Sequence, residues 1–259
     1  NHVLLSSLDE TVIQHGAEFN LGIHKYEGNT YSPNGHKYIR QFDCEVVSRT
    51  VYRVGGVILS KERMLLSFEP RVLFKYTLLE AHSPTLLRFK PFLAFRSVND
   101  LTHQNDIADT AYVEVQDGIR MCLYESYPCL HMQFSKKITY VHQPDWHKNI
   151  EYFKEQERGY AFKEDLLVPG YFEMPIKKGE SIIFSAGVTE LSPRKLKALW
   201  EEELTRRNER VDMFSCLKNS AQQLYKREGD KTYLLAGYPW FGARARDQFV
   251  ALPGCTLTI

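Results

Sequence analysis

The sequence lacks any run of roughly 18 uninterrupted apolar residues, the length a membrane-spanning helix needs, and it opens with no charged-then-apolar leader. A soluble, cytoplasmic chain is the expectation, with no membrane partner. It also lacks an excess of either charge: 33 Lys plus Arg stand against 32 Asp plus Glu. No global field concentrates a polyanion, so nucleic acid is not the expected partner. Cysteine is scarce. The five (Cys44, Cys122, Cys129, Cys216, Cys255) are odd in number, contain no CxxC pair and are too few for a disulfide scaffold, which predicts reduced thiols. No Walker-type phosphate loop, GxGxxG, HExxH or GxSxG occurs. Nucleotide, zincin and hydrolase-elbow chemistry therefore have no sequence support, and no cofactor is expected.

What is present is an ordinary globular composition, 43% apolar and 13% aromatic, in 259 residues, enough for one large domain with an appendage. Asn1 is not an initiator Met and Phe249 to Ile259 is almost wholly apolar, so a piece of a longer chain is expected.

From Asn1 to about Gly187, short apolar runs alternate with turn signals, the pattern of an all-β domain. Arg49 to Val54 and Val57 to Ser60 flank Gly55-Gly56, and Tyr112 to Val115 and Ile119 to Tyr124 flank Asp117-Gly118, both two-residue hairpin signals. Arg63 to Phe68, Val72 to Leu79, Leu130 to Phe134, Lys137 to Val141 and Ser181 to Ala186 read as further strands. In Leu86 to Arg96, Pro91 removes a ladder donor and implies an edge, a bulge or a break. So many antiparallel strands must fold into two packed layers, a large β-sandwich. Trp146 to Arg158 has only a weak helical period and is left open.

At Leu191 the pattern changes. Ser192-Pro193 reads as an N-cap with proline at the first helical position. Leu196, Leu199-Trp200 and Leu204 form an apolar stripe, with Glu202/Arg206 and Glu203/Arg207 as i,i+4 pairs on the wet side. Met213-Phe214, Leu217, Ala221 and Leu224-Tyr225 repeat the spacing, and Gly229 reads as a C-cap. The organisation expected is a β-domain over 1–190, linker helices over 191–230 and a third segment over 231–259.

Several segments carry chemistry-bearing residues. His142 and His147 with Asp145 between them offer too few ligands for zinc, and a polar loop is the reading preferred. Gly22 to Gln41 mixes His24, Tyr26, Tyr31, His36 and Tyr38 with Gly and Pro; such loops suit sugars, but a hairpin pinned by tyrosines is favoured. Arg96 to Asp106 is rich in hydrogen-bonding groups that can cap one another. The sharpest segment is Gly237 to Gly254, where Tyr238, Trp240 and Phe241 precede Arg246-Asp247. An aromatic wall with a guanidinium fork and a carboxylate is what one terminal sugar ring requires. An Arg-Asp step that merely caps a helix is the commoner occurrence.

LLAGYPWFGARARDQFVALPG resembles the entry into the catalytic (α/α)6 toroid of glycogen debranching enzymes of the bacterial and archaeal amylo-α-1,6-glucosidase type, relatives of glucoamylases. LLSSLDET (Leu4 to Thr11), YRVGGVILSKERML (Tyr52 to Leu65) and LRFKPFLAFRSVNDLTHQN (Leu87 to Asn105) are similar to the amino-terminal domain of those enzymes. The resemblance implies a mainly β fold: a large antiparallel β-supersandwich, a linker helix and the first helical segment of the toroid. It implies that Arg246 and Asp247 hydrogen-bond the terminal glucose, with Tyr238, Trp240 and Phe241 as the aromatic approach. Ala243-Arg244-Ala245 departs from the family pattern, where a polar residue, Trp and Gly are usual. The resemblance further implies hydrolysis of α-1,6 branch points in glycogen or limit dextrin, with glucanotransferase activity left open. It puts both catalytic carboxyls beyond Ile259, so no catalytic residue is expected in this chain and the chain alone is expected to be inactive. The partners implied are α-glucan and the chain's own catalytic domain. A purely architectural domain and a stand-alone glucan-binding module are the rival readings.

Overall fold

In the computed structural model, which describes residues 2–207, 210–237 and 241–257, β1 (His2–Gln14) turns through His15 and Gly16 into β2 (Ala17–Asn20). Both turn residues take the left-handed backbone of a tight hairpin, φ 50° and 78°. β3 (His24–Tyr26) and β4 (Thr30–Ser32) form a separate two-stranded hairpin. An antiparallel meander follows: β5 (Ile39–Cys44), β6 (Ser48–Val54), β7 (Val57–Leu65) and β8 (Arg71–Glu80). β9 (Thr85–Ser97) pairs with β1, while β10 (Tyr112–Val115), β11 (Gly118–Met121) and β12 (Leu130–Phe134) return to the meander's sheet. β13 (Thr139–Glu151), the short helix α1 (Phe153–Glu157) and β14 (Lys163–Ile176) lead to β15 (Ser181–Gly187).

These strands make two antiparallel sheets, ordered β13-β14-β9-β1-β2 and β10-β11-β12-β15-β8-β7-β6-β5. The predicted sandwich is therefore present, and its core lies between them. Phe134 of the larger sheet sits 5.2 Å from Phe89, 5.1 Å from Phe172 and 4.9 Å from Phe184, centroid to centroid, in the tilted geometry aromatic rings prefer. Inward positions alternate along the strands, as in β9, where Leu87, Phe89 and Leu93 are fully buried on one face. The opposite face of the five-stranded sheet has a smaller core of Phe92, Ala94, Ile150, Leu166 and Val168.

Several expectations are narrowed or corrected. Of an edge, a bulge or a break, Pro91 takes the bulge, in the middle strand of the five-stranded sheet and not at an edge. It is tolerated because β14 bulges opposite it: Leu167 pairs with Leu93 and Phe172 with Phe89, so β14 holds one residue more than β9 across that stretch. Gly170, at φ 138°, sits in the bulge, where a Cβ would meet the Val141 carbonyl oxygen at 2.0 Å. β1 and β14 are strands that the turn signals did not reveal; β14 contains Pro169, Gly170 and Pro175, which read as breakers. Arg63 to Leu65 belongs to β7 and is no separate strand. In the Asp117-Gly118 hairpin the left-handed residue is Asp117, φ 49°, whereas Gly118 is already in β11 and is glycine because a Cβ would meet the Met132 carbonyl oxygen at 2.0 Å.

Cys122 and Cys129 form a disulfide, so not all five thiols are reduced. The register explains the pairing. Met121 is opposite Leu130 across β11 and β12, which sets the next residues outward, Cys122 and Cys129, face to face with Cα atoms 4.3 Å apart.

The chain divides into two compact units, Asn1–Glu201 and Glu202–Ile259. Pro193 opens a single 3-10 turn, Pro193–Lys195, that runs into α2 (Leu196–Arg206). Ser192 precedes it as expected but makes no side-chain cap. In the first unit Leu196 and Trp200 are fully buried, with the Lys75 ammonium 5.3 Å from the Trp200 ring centre. Glu203 is buried and not on the wet side; Arg207 and Arg206 approach it at 3.3 and 3.9 Å.

In the second unit α3 (Met213–Gln222) starts at a capping box, Asp212 accepting from the Ser215 amide at 2.7 Å and Ser215 Oγ accepting from the Asp212 amide at 3.0 Å. β16 (Tyr225–Glu228), β17 (Lys231–Gly237) and β18 (Phe241–Ala243) then form a three-stranded sheet, followed by α4 (Ala245–Leu252) and a π-helical turn, Pro253–Leu257. Gly229 is thus the left-handed residue of the β16–β17 hairpin, φ 58°, and not a helix C-cap.

Candidate functional site

Arg246 and Asp247 occupy the first turn of α4, immediately after β18. α4 is tied to the small sheet: the Leu234 amide donates to Gln248 Oε1 at 3.3 Å, and the Gln248 amide donates to the Arg244 carbonyl at 3.0 Å. Asp247 is favoured there by the unpaired amides and positive dipole end of the first turn. Both side chains are exposed, and among the described residues neither makes a hydrogen bond or ion pair. Consecutive helix residues diverge by about 100°. The guanidinium and the carboxylate thus leave the helix in different directions.

Phe241, half exposed, opens β18 opposite Gly237, where a Cβ would stand 3.1 Å from the Phe241 ring. One face of the ring is covered by the Arg244 guanidinium at 4.5 Å. The residue standing where the family pattern has Trp thus occupies an aromatic face. Tyr238 and Trp240 lie outside the described residues.

The other segments resolve into structural roles. His142 and His147 lie on β13, not in a loop: His142 packs against Tyr112 at 4.8 Å and His147 against Phe92 at 4.9 Å, where burial lowers its pKa. Among the described residues no three His, Cys, Asp or Glu side chains gather as a metal site. Gly22 to Gln41 does contain a hairpin, β3–β4, but the anchor is a histidine and Tyr31 is exposed, so tyrosines do not pin it as expected. His24 Nε2 meets both Asp9 carboxylate oxygens at 2.9 and 3.0 Å, and Gly22 leaves room for that carboxylate. The polar groups of Arg96 to Asp106 pin the loop to β14. Fully buried Glu164 accepts from Arg96 Nε at 2.5 Å, Tyr152 Oη at 2.5 Å and the Thr102 amide at 3.0 Å.

Residues 1–183 match the family model for the N-terminal part of glycogen debranching enzymes. The chain belongs to that family. No curated protein matches it. Among solved structures it is similar to a bacterial glucoamylase complexed with acarbose (8% identity, TM-score 0.42, 79% of this chain and 32% of that chain). It is also similar to a heparan sulfate lyase mutant from Pedobacter heparinus (11% identity, TM-score 0.36, 66% and 22%) and to a polysaccharide lyase (13%, TM-score 0.31, 77% and 28%). The chain spans less than two thirds of each.

In this debranching-enzyme family chain the matched region ends at residue 183, in β15. Arg246 and Asp247 lie beyond it, so their assignment rests on the local motif. Sequence reasoning also left Trp146 to Arg158 undecided. β13 runs to Glu151 there, and α1 then brings Gln156, with Phe162 after it, beside the β3–β4 turn. The available signal was the aromatic spacing Phe153, Tyr160, Phe162 around Gly159.

Proposed function

We propose that this chain is the non-catalytic β part of a cytoplasmic glycogen debranching enzyme that hydrolyses α-1,6 branch points of glycogen or limit dextrin. The observation that carries the proposal is the family match over residues 1–183. Arg246 and Asp247 donate to and accept from hydroxyls of the nonreducing glucose, and Phe241, Tyr238 and Trp240 line its approach. The chemistry is inverting hydrolysis by a carboxylic acid and a carboxylate about 6.5–9.5 Å apart, both supplied by a catalytic domain beyond Ile259. Exposed apolar side chains in the second unit (Met213, Phe214, Leu217, Phe249, Val250) support a covering partner, and the enzyme's own catalytic domain is the one we assign.

Glucose release from limit dextrin by the parent enzyme tests the subsite. Arg246→Ala removes a charge-assisted hydrogen bond worth about 1.5–3 kcal/mol, a loss of ten-fold or more in rate. An unchanged rate removes Arg246 from the subsite. It would favour the architectural reading, which Arg244 covering the Phe241 ring already supports.

A further inference from the structure

The β3–β4 turn meets the end of β13, α1 and the start of β14 around a cleft of about 350 Å³, within the roughly 300–1,000 Å³ of small-ligand sites. Its lining includes Lys25, Glu27, Glu151, Gln156, Phe162 and Lys163. All of these residues belong to the first unit.

The charges in the cleft cancel. Lys25 Nζ donates to Glu151 Oε2 at 2.5 Å, and Lys163 Nζ lies 3.4 Å from Glu27 Oε2 and 3.7 Å from Glu151 Oε1. Two ammoniums facing two carboxylates leave no net charge to hold a phosphate or a cation. They do leave hydrogen-bonding capacity. An ammonium has three donors and a carboxylate about four lone-pair sites, and these contacts use only part of both. The Gln156 amide adds a donor and an acceptor at the exposed rim. A neutral polyol with vicinal hydroxyls is the ligand such a set satisfies.

An apolar wall completes the requirement. Phe162 lines the cleft, and an aromatic face packs on the apolar C–H face of a pyranose. On the same segment Phe153 and Tyr160 are 46% and 58% exposed, large rings that the fold itself leaves in water. All three rings carry a cation over one face, Lys163 over Phe162 at 6.0 Å and Lys154 and Arg158 over Phe153 and Tyr160 at 4.9 Å, so the sugar would take the opposite face. Asn29 turns the hairpin in the left-handed region, φ 57°, and so places Glu27 and Lys25 at the cleft.

We propose that this cleft is an α-glucan contact of the sandwich itself, separate from the Arg246-Asp247 motif, holding a glucosyl chain by stacking on Phe162 and hydrogen bonding to Gln156, Glu27 and Lys163. The choice of α-linked glucan rests on the reading given under Proposed function.

The test is affinity electrophoresis of the 259-residue chain through glycogen, with maltoheptaose, cellohexaose and heparin as competitors. The expected result is retardation reversed by maltoheptaose alone. It is weakened ten-fold or more in Glu27→Gln/Gln156→Ala and in Phe162→Ala. Glu27 and Gln156 are exposed, so the double variant is expected to melt like the parent chain, which separates lost binding from lost folding. Retardation that survives both cleft variants overturns the cleft while leaving the α-glucan reading intact. Equal competition by cellohexaose or heparin overturns the ligand class. No retardation of folded wild-type chain overturns the cleft, and the Arg246→Ala rate in the parent enzyme then decides the subsite independently.

Discussion

The Tyr76 hydroxyl on β8 donates to Glu10 Oε1 on β1 at 2.5 Å, a hydrogen bond that crosses the core from one sheet to the other. The Lys61 ammonium on β7 meets the same oxygen at 2.6 Å, so the carboxylate is buried but paired. The arrangement fixes how β1 sits over β7 and β8, because a slip of one residue would turn Glu10 out of the core.

Tyr76→Phe removes that donor while keeping the ring. A hydrogen bond to a buried charged group is worth about 1.5–3 kcal/mol, so the midpoint of urea unfolding should fall with m unchanged. An unaltered midpoint would mean Lys61 alone satisfies Glu10.

Alkaline pH should unfold the sandwich. Burial first, and Glu10 second, push Tyr52 up to about 12 and Tyr76 well above its usual value, and burial with the Glu164 hydrogen bond takes Tyr152 to about 12. A tyrosine whose folded pKa exceeds its unfolded value of about 10 binds its proton more tightly in the folded state. Its stabilisation is complete below pH 10 and is lost as pH rises towards 12. Thermal melts at stepped pH, followed by phenolate absorbance, should therefore show stability falling from about pH 10. A flat profile to pH 12 would refute the burial of these hydroxyls.

Thiol counting checks the cystine. Under denaturation without reductant three of the five cysteines should react with a thiol reagent, and after reduction all five. Closing a loop with a sequence separation of 7 should stabilise the fold by about 2–3 kcal/mol in the chain-entropy account, the loss expected for Cys122→Ser/Cys129→Ser. Five reactive thiols before reduction would restore the reduced reading.

Gly170→Ala should be among the most damaging single-methyl additions in the chain. The new Cβ meets the backbone oxygen of Val141 at φ 138°, where only glycine is comfortable. A loss of roughly 2 kcal/mol or more is expected, with Gly179→Ala as a contrast: that turn glycine has open space around a Cβ and a φ of 79°. Equal losses at the two positions would show that the bulge does not need its close approach.

Local rules carried far in this sequence. The Gly55-Gly56 and Asp117-Gly118 hairpins, the strands around them and the helix opening at Pro193 were legible because their signals lie within a few residues of the structure they cause. β14 was not, and for Pro91 the bulge could be named but not told from an edge or a break. Pro169, Gly170 and Pro175 are breakers by local rules, and only pairing with β13 and β9 outweighs them; the bulge that excuses Pro91 is made by a strand about 80 residues away. Arg246, Asp247 and Phe241 stood out as a motif. The angular divergence of the first two on α4 and the Arg244 guanidinium over the third are properties of folded backbone that spacing does not encode.

The sequence by itself determined the class, because alternation and turn chemistry are short-range physics: a two-layer antiparallel β body with helices after it, though not the small sheet β16–β18 that lies among them. Tertiary structure alone decided which strand lies beside which, that Cys122 faces Cys129, and that Lys25, Glu151 and Lys163 converge on one cleft from 25 to 163 along the chain. Those outcomes depend on burying two sheet faces against each other, and the register that does so brings together residues with no local relationship.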